Sequence, residues 1–254
     1  MFEPLLIHLP HSSVHIADDD RREILLNDSE LHAEMLKLTD RYTDQLFNYP
    51  GAVIHKNLNS RIVIDPERFR SDMDEIMSQF GMGAIYTHSE NGRLIKNMTE
   101  DRREELMKKY YDPYHEELEK KTQQTLDQYG KCLIIDGHSF PETPLCFELD
   151  KNPDRPDICI GTCDFHTPEK LIQIMGDFIN GNGLTVKRNA PFAGTMVPMK
   201  YYRKDKRVTS VMIEVNRKLY MDEATGEKLP CFDAVCSLVL SLIRKVTECF
   251  AMID

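Results

Sequence analysis

The chain has 254 residues, of which 41% are hydrophobic and 29% charged, and its formal net charge is −10. This size and composition predict one large domain spanning residues 1–254. Lys and Arg are scattered rather than clustered, which argues against nucleic acid as a partner. No run approaches the roughly 20 apolar residues of a membrane span, so we expect no membrane partner. Seven cysteines without a CxxC pair favour a reducing, cytoplasmic location.

Hydrophobic periodicity predicts alternating strands and helices along the whole chain. In chain order we expect a strand near 5–9, a helix near 30–48, strands near 52–55 and 61–65, an irregular segment at 66–98, a helix near 99–128, strands near 132–136 and 158–161, a helix near 168–180, strands near 184–187 and 208–215, and a helix near 230–250. Pro113 is expected to break or kink its helix near Asp112. The alternation favours an α/β fold: three α/β/α layers around a mixed, largely parallel sheet, as in phosphorylase/hydrolase-like proteins.

Two histidines follow apolar runs that are typical of buried strands. His138 ends the run 132–137, where Gly137 is expected to turn the backbone, and His11 follows the run 5–9 and Pro10. Ligands bind beyond the carboxyl ends of strands in open α/β sheets. Catalytic zinc usually takes three His or carboxylate ligands and keeps one position for water. The two histidines therefore predict a metal site.

The carboxylate ligand is left open among three aspartates. Asp18 follows His15 with HxxD spacing but begins an acidic stretch that is typical of a surface. Asp40 and Asp44 lie one turn apart on one face of the helix predicted at 30–48. A surface pair is the alternative interpretation of these two residues.

One acidic residue, Glu214, lies within the apolar strand predicted at 208–215. A buried carboxylate is costly unless it is paired or functional. Arg217 could pair with it, or Glu214 could point into the site as a general base whose pKa is raised by burial.

Two arginines, Arg61 and Arg68, bracket a short apolar segment that contains Asp65. Arginine forms bidentate pairs with carboxylates, so either side chain could hold an anionic substrate. A structural ion pair with Asp65 is the alternative.

Two other chemistries have weaker support. Ser-His-Asp catalysis lacks a GxSxG turn, although Ser12, Ser13 and Ser139 follow histidines or each other. Cys159 and Cys163 lie close together in the chain, but a second cysteine pair is missing.

Several short motifs, in this order along the chain, resemble the N-formylglutamate amidohydrolase family. They are Pro10-His11-Ser12-Ser13, Thr39-Asp40-Arg41-Tyr42-Thr43-Asp44, Ser60-Arg61, Asp65-Pro66-Glu67-Arg68, Tyr86-Thr87, Pro113-Tyr114-His115, Asp136-Gly137-His138-Ser139, Asn189-Ala190-Pro191-Phe192-Ala193-Gly194 and Glu214-Val215-Asn216-Arg217-Lys218-Leu219-Tyr220. The resemblance implies a fold similar to zinc carboxypeptidases and aspartoacylases. It also implies Zn²⁺-dependent hydrolysis of the amide bond in a small carboxylated substrate, such as an N-formyl or N-acyl amino acid.

Site residues follow from the same resemblance. It implies His11, Asp40 and His138 as metal ligands, Glu214 as the catalytic acid/base, and Arg68 as the residue that binds the substrate carboxylate. We also expect Arg61, Ser139 and Arg217 to bind substrate. The family often has Asp-Leu-Asn-Arg where this chain has Asp65-Pro66-Glu67-Arg68, and the added negative charge of Glu67 disfavours a formylglutamate-type dicarboxylate. A peptidase, a peptidoglycan-type amidase and a non-catalytic binding protein remain alternatives. The acyl group, the leaving amine and the oligomeric state are left open.

Overall fold

A computed structural model describes residues 4–253 and contains one six-stranded sheet. The strands are β1 (Leu5–Leu9), β2 (Val53–Lys56), β3 (Cys132–Phe140), β4 (Ile158–Gly161), β5 (Val186–Arg188) and β6 (Val208–Asn216). The helices are α1 (Asp18–Arg22), α2 (Asp28–Leu38), α3 (Thr43–Leu46), α4 (Glu100–Leu106), α5 (Asp112–Tyr129), α6 (Glu169–Gly181) and α7 (Phe232–Ala251). Short 3₁₀ helices occupy Ile76–Phe80 and Arg217–Leu219.

The sheet has the strand order β2-β1-β3-β6-β4-β5. Every neighbouring pair is parallel except β4 and β6, which run antiparallel. Helices lie on both sides of this sheet. The prediction of an α/β fold with a mixed, largely parallel sheet is therefore confirmed. None of the helices in the part of the chain described is long and apolar enough to cross a membrane.

Alternating side chains of the central strands fill two different cores. Ile7 and Ile135 pack in the core that α3, α6 and α7 cover, whereas Leu6 and Ile134 pack in a core that includes Leu118 of α5. This alternation follows from the two-residue period of a strand. His8, Asp136 and His138 share their parity with Leu6 and Ile134, so β1 and β3 present their polar side chains on the α5 side.

The strand predicted at 61–65 is wrong. The backbone turns there instead, with the amides of Val63 and Ile64 donating to the Ser60 carbonyl. Ile62 and Ile64 are buried, but each lies in a satellite core that contains no residue of the sheet. A short apolar run indicates that the residues are buried, but burial alone does not distinguish a strand from a buried turn.

The single helix predicted at 30–48 is also wrong, because α2 and α3 are separate. Thr39 is extended, and Tyr42 has a φ of 66° in the left-handed region. The Asp40 amide donates to the His11 carbonyl rather than to a helical partner. Asp40 therefore lies in the break, and it does not share a helix face with Asp44.

The helix predicted at 99–128 is continuous but changes its winding near Asp112. Thr99 caps α4 by accepting from the Arg102 amide, as expected of an N-cap threonine. A π-helical turn at Met107–Tyr111 then leads into α5, with Pro113 in the first turn of α5. Proline is tolerated in the first turn of a helix because the amide hydrogen that it lacks has no intrahelical acceptor there. The helix therefore continues past Pro113 through one π-helical turn instead of breaking.

Candidate metal centre

His11, His138 and Glu214 lie near the carboxyl ends of three parallel strands. His11 follows the end of β1 by two residues, and His138 lies within β3 directly in register with Glu214 of β6. The expected turn at Gly137 is absent, because β3 continues to Phe140. Glycine instead allows Leu9 and Phe47 to pack closely against the strand, because a Cβ at this position would lie 2.9 Å from their side-chain atoms.

The predicted ligands His11, Asp40 and His138 are brought together. Oδ2 of Asp40 lies 3.6 Å from Nδ1 of His11 and 3.2 Å from Nδ1 of His138. One donor atom from each residue lies within 4.8 Å of the other two. Tetrahedral zinc with bonds of about 2.0–2.1 Å separates its ligand atoms by roughly 3.4 Å. The spacing therefore fits a tetrahedral ion with small adjustments.

Both imidazoles are oriented by carboxylates behind them. Nε2 of His11 lies 2.8 Å from Oδ1 of Asp65, and Nε2 of His138 lies 2.9 Å from Oδ1 of Asp136. With each Nε2 on a carboxylate, Nδ1 of each ring is the atom that faces Asp40. Carboxylates that orient metal-binding histidines in this way are typical of zinc sites.

Asp40 is buried, and its second oxygen is held by Arg217. Nη2 of Arg217 donates to Oδ1 of Asp40 over 2.9 Å, and the Ser139 amide donates to Oδ2 over 3.3 Å. Burial opposes ionisation, but His11, His138 and Arg217 outweigh it and hold the pKa of Asp40 well below its usual range. Asp40 is thus a carboxylate at neutral pH.

The other two candidate carboxylates lie elsewhere. Asp18 begins α1 and Asp44 lies in α3, and both side chains are exposed. Neither belongs to a cluster of metal-binding side chains among residues 4–253.

Glu214 is a buried carboxyl group with an unsatisfied oxygen. Oε2 has no hydrogen-bond partner, and the side chain lines the same cavity as the three candidate ligands. Burial, the largest cause, raises the pKa of Glu214 to about 8, although the nearby His138 favours the charged form. A carboxyl group with a pKa near neutrality suits transfer of a proton in either direction.

A second polar cluster adjoins the first and shares His138. It contains His8, Glu67, Asp136 and His138. Nδ1 of His8 lies 2.7 Å from Oδ1 of Asp136, and Nε2 of His8 lies 2.6 Å from the Tyr114 hydroxyl. These contacts are hydrogen bonds among the residues themselves, so the cluster forms a network that holds Asp136 and, through it, His138.

Three arginines and a serine line the cavity, and the arginines differ in how many hydrogen bonds they make to the protein. Arg61 donates to Asp65, to Tyr86 and to the Leu38 carbonyl. Arg217 contacts Asp40, Ser139 and the Lys37 carbonyl. The guanidinium of Arg68, by contrast, has only a 3.7 Å approach of Nε to Asp65 and no hydrogen bond.

Two cysteines considered as an alternative metal site, and His115 of the motif at 113–115, make other contacts in the structure. The Cys159 thiol donates to the Phe192 carbonyl, and neither Cys159 nor Cys163 joins a metal-binding cluster within the described residues. His115 contacts the Pro66 carbonyl through Nε2, and burial lowers its pKa to about 4.

Sequence reasoning missed the orienting roles of Asp65, Asp136 and His8. Asp136 and His8 are polar residues inside apolar strands, so the argument applied to Glu214 also pointed to them. Asp65 ends the apolar segment 61–65, but it was considered only as an ion-pair partner of Arg61 or Arg68.

The fold and the site together define an α/β protein with a candidate mononuclear metal centre and a buried carboxyl group, that of Glu214, in the same cavity. The family model of N-formylglutamate amidohydrolase matches residues 3–221, and the chain belongs to that family.

Three proteins illustrate what the chain resembles, one by sequence and two by fold. An N-formylglutamate deformylase from Pseudomonas putida is 26% identical over 234 residues, covering 87% of this chain and 82% of its own length. The solved structure of an N-formylglutamate amidohydrolase from Ralstonia eutropha is 23% identical, with a TM-score of 0.84 over 97% of this chain and 94% of its own. A gene product of Agrobacterium tumefaciens is 18% identical, with a TM-score of 0.67 over 98% of this chain and 92% of its own.

Proposed function

We propose that the protein is a Zn²⁺-dependent amidohydrolase that cleaves the amide bond of an N-formyl or other short N-acyl amino acid. The observation that carries the proposal is the convergence of His11, Asp40 and His138 beside the unsatisfied carboxyl of Glu214. The curated relative named N-formylglutamate deformylase supports the reaction class.

The donor set suits zinc better than magnesium or calcium. Two imidazole nitrogens and one carboxylate are ligands that Zn²⁺ prefers, whereas Mg²⁺ and Ca²⁺ favour oxygen ligands. When bound, Zn²⁺ supplies Lewis acidity that makes water a nucleophile near neutral pH. His11, Asp40 and His138 would hold the ion, and Asp65 and Asp136 would keep both rings in the required orientation.

Glu214 provides the proton transfers. Its unsatisfied oxygen accepts a proton from water as the water attacks the amide carbonyl. The same carboxyl group then returns the proton to the nitrogen that leaves as an amine. Burial keeps solvent from exchanging protons with this carboxyl group. The raised pKa lets the group hold the proton between the two steps.

Arg68 binds the carboxylate of the substrate in this proposal. Its guanidinium lines the cavity with donors that the protein leaves free, so a bidentate pair with a carboxylate satisfies them. Arg61 and Arg217 instead position Asp65 and Asp40, because their donors already contact protein acceptors. Ser139 also acts by positioning, through its amide on Asp40 and its hydroxyl on Arg217.

The proposal is tested by Glu214→Gln together with metal analysis. We expect about one zinc per chain in both proteins, hydrolysis of N-formyl amino acids by the wild type, and a fall in kcat of about 10²- to 10⁴-fold in the variant. Glu248→Gln, on the exposed face of α7, is the matched control with unchanged turnover. Near-normal turnover in Glu214→Gln, or a wild type that retains no metal, contradicts the proposal.

A further inference from the structure

Three aromatic rings at the start of α5 form hydrogen bonds toward the candidate metal centre. Tyr111 ends the π-helical turn that precedes α5, and Tyr114 and His115 follow in the first turn of α5. The ring centroid of His115 lies 4.3 Å from that of Tyr111 and 5.6 Å from that of Tyr114, so the three rings form one cluster, here called the aromatic face. A π-helical turn within a longer helix is frequent at functional sites.

Two of these rings hold the backbone of residues 66–68, which belong to no helix or strand. Nε2 of His115 lies 2.8 Å from the Pro66 carbonyl oxygen and donates to it, because a carbonyl oxygen can only accept. The Tyr111 hydroxyl donates to the Arg68 carbonyl over 2.8 Å. A segment without regular structure is therefore fixed from the helix at two of its carbonyl groups.

Asp65 immediately precedes this segment and is bonded to it. The Glu67 amide donates to Oδ1 of Asp65 over 3.1 Å, and the Arg68 amide donates to the Asp65 carbonyl over 3.3 Å. The same Oδ1 lies 2.8 Å from Nε2 of His11. The position of residues 66–68 therefore determines where the oxygen that contacts His11 lies.

The third ring supports the carboxylate behind the other histidine. The Tyr114 hydroxyl lies 2.6 Å from Nε2 of His8, and Nδ1 of His8 lies 2.7 Å from Oδ1 of Asp136. That oxygen lies 2.9 Å from Nε2 of His138. All four residues are buried, so one chain of contacts away from solvent joins Tyr114 to His138.

We propose, resting on the proposed function, that the aromatic face of α5 positions both carboxylates that orient the metal-binding histidines. Tyr111 and His115 act on Asp65, and Tyr114 acts on Asp136. Their hydrogen bonds reach the candidate ligands only through other residues, so they are positioning residues and not catalytic ones. Partners behind metal-binding histidines change metal affinity, and the start of a single helix provides the support for both rings.

The zinc affinity of the metal-free protein, measured by competition with a chelating dye, tests the proposal without any hydrolysis. We expect Tyr111→Phe and Tyr114→Phe each to weaken zinc binding about two- to tenfold, the effect of removing one hydrogen bond. Tyr201→Phe is the matched control, because the Tyr201 hydroxyl donates to Oε1 of Gln123 on the same helix over 2.8 Å. This variant should bind zinc as the wild type does. Wild-type affinity in both test variants overturns the proposal.

Double-mutant cycles test whether the rings act through the carboxylates. In an Asp65→Asn background, Tyr111→Phe should have no further effect on zinc affinity, whereas Tyr114→Phe should keep its full effect. An Asp136→Asn background should give the reverse, because residues that act through one another are not additive. Additive effects in all four combinations contradict the proposal, since they are expected of rings that only stabilise the fold.

His115 allows a rescue by a conservative variant. Gln keeps a side-chain nitrogen that can donate to the Pro66 carbonyl, whereas Leu has no donor. We expect His115→Leu to weaken zinc binding about two- to tenfold and His115→Gln to recover most of that loss. Equal affinities in these two variants contradict the role of the hydrogen bond.

The same measurements separate this inference from the proposed function. If the wild type binds zinc and the variants bind it more weakly, but no N-formyl amino acid is hydrolysed, the proposed function fails and the inference stands. If the wild type hydrolyses N-formyl amino acids and every variant binds zinc equally well, the inference fails and the proposed function stands. A wild type that binds no zinc overturns both.

Discussion

At the scale of single residues, the site is an arrangement of charges that stabilise one another. Asp40 is buried with two imidazoles on one oxygen and Arg217 on the other. A buried carboxylate is retained in a fold only when such partners compensate its lost hydration. The same groups that stabilise Asp40 also bring its Oδ2 close to both Nδ1 atoms, so the proposed metal site would use the geometry that already compensates the buried charge.

This arrangement predicts that Asp40, and not Asp44, determines metal binding. Asp40→Asn replaces an anionic ligand by a neutral amide of the same shape, so we expect the zinc content to fall at least tenfold. Asp44→Asn changes an exposed carboxylate and should retain full zinc content. Metal analysis after dialysis against a weak chelator measures both, and circular dichroism confirms folding. Equal zinc content in the two variants would remove Asp40 from the ligand set.

At the scale of elements, the site depends on how closely α3 approaches β3. Phe47, next to the end of α3, packs over Gly137 in the middle of β3, one residue before His138. The break between α2 and α3 is what permits this approach, and it also places Asp40 beside His11. Close packing between elements thus determines where two of the three candidate ligands lie.

This contact predicts opposite effects for two glycine substitutions. Gly137→Ala would place a methyl group 2.9 Å from Leu9 and Phe47, so we expect a loss of about 1–3 kcal/mol in the free energy of unfolding. Gly176→Ala, in α6 with no atom within 4 Å of the added methyl, should gain about 0.5–1 kcal/mol. Denaturant unfolding measures both. A neutral or stabilising Gly137→Ala would show that α3 can move away without cost.

At the scale of the whole molecule, buried histidines link stability to pH. His55 on β2 packs against His8 and Tyr114, and its Nε2 has no hydrogen-bond partner. Burial, aided by the nearby His8 and Lys121, lowers the pKa of His55 from 6.5 to about 2. The unfolded chain therefore binds a proton at mildly acidic pH that the folded chain does not. The stabilisation is fully present above pH 6.5 and is lost as the pH falls toward 2.

Removing this group should reduce the loss of stability in acid. Between pH 7 and pH 4.5, we expect His55 to account for about 2–3 kcal/mol of the decrease in unfolding free energy, since each pH unit contributes about 1.4 kcal/mol. His55→Phe keeps an aromatic ring against Tyr114 and should decrease the pH dependence by that amount. The comparison is made in chelator, so that metal binding does not contribute. Parallel pH profiles for the two proteins would contradict this role.

Much of the molecule could be predicted from local patterns. The period of the apolar residues indicated the sheet, α6 and α7, because side-chain periodicity is set by backbone geometry. His138 and Glu214 could be recognised as candidate site residues because burying a polar side chain in an apolar strand is unfavourable unless it is paired or functional. The motif order indicated the family, which the family model confirms.

Other features were decided only by tertiary contacts. Contacts between residues distant in the chain determined the backbone at 61–65, the end of the helix near residue 40 and the aspartate that faces the two histidines. The Asp40 amide, for example, donates to the His11 carbonyl, and the Asp65 amide donates to the Ala84 carbonyl. The sequence by itself determined the α/β architecture and the two histidines, because those follow from local hydrophobicity and spacing. The tertiary structure decided which aspartate lies beside the two histidines, the contacts of Asp65 and Asp136 with their rings, and the absence of a hydrogen bond on the guanidinium of Arg68. Only the folded chain shows which charges already have partners.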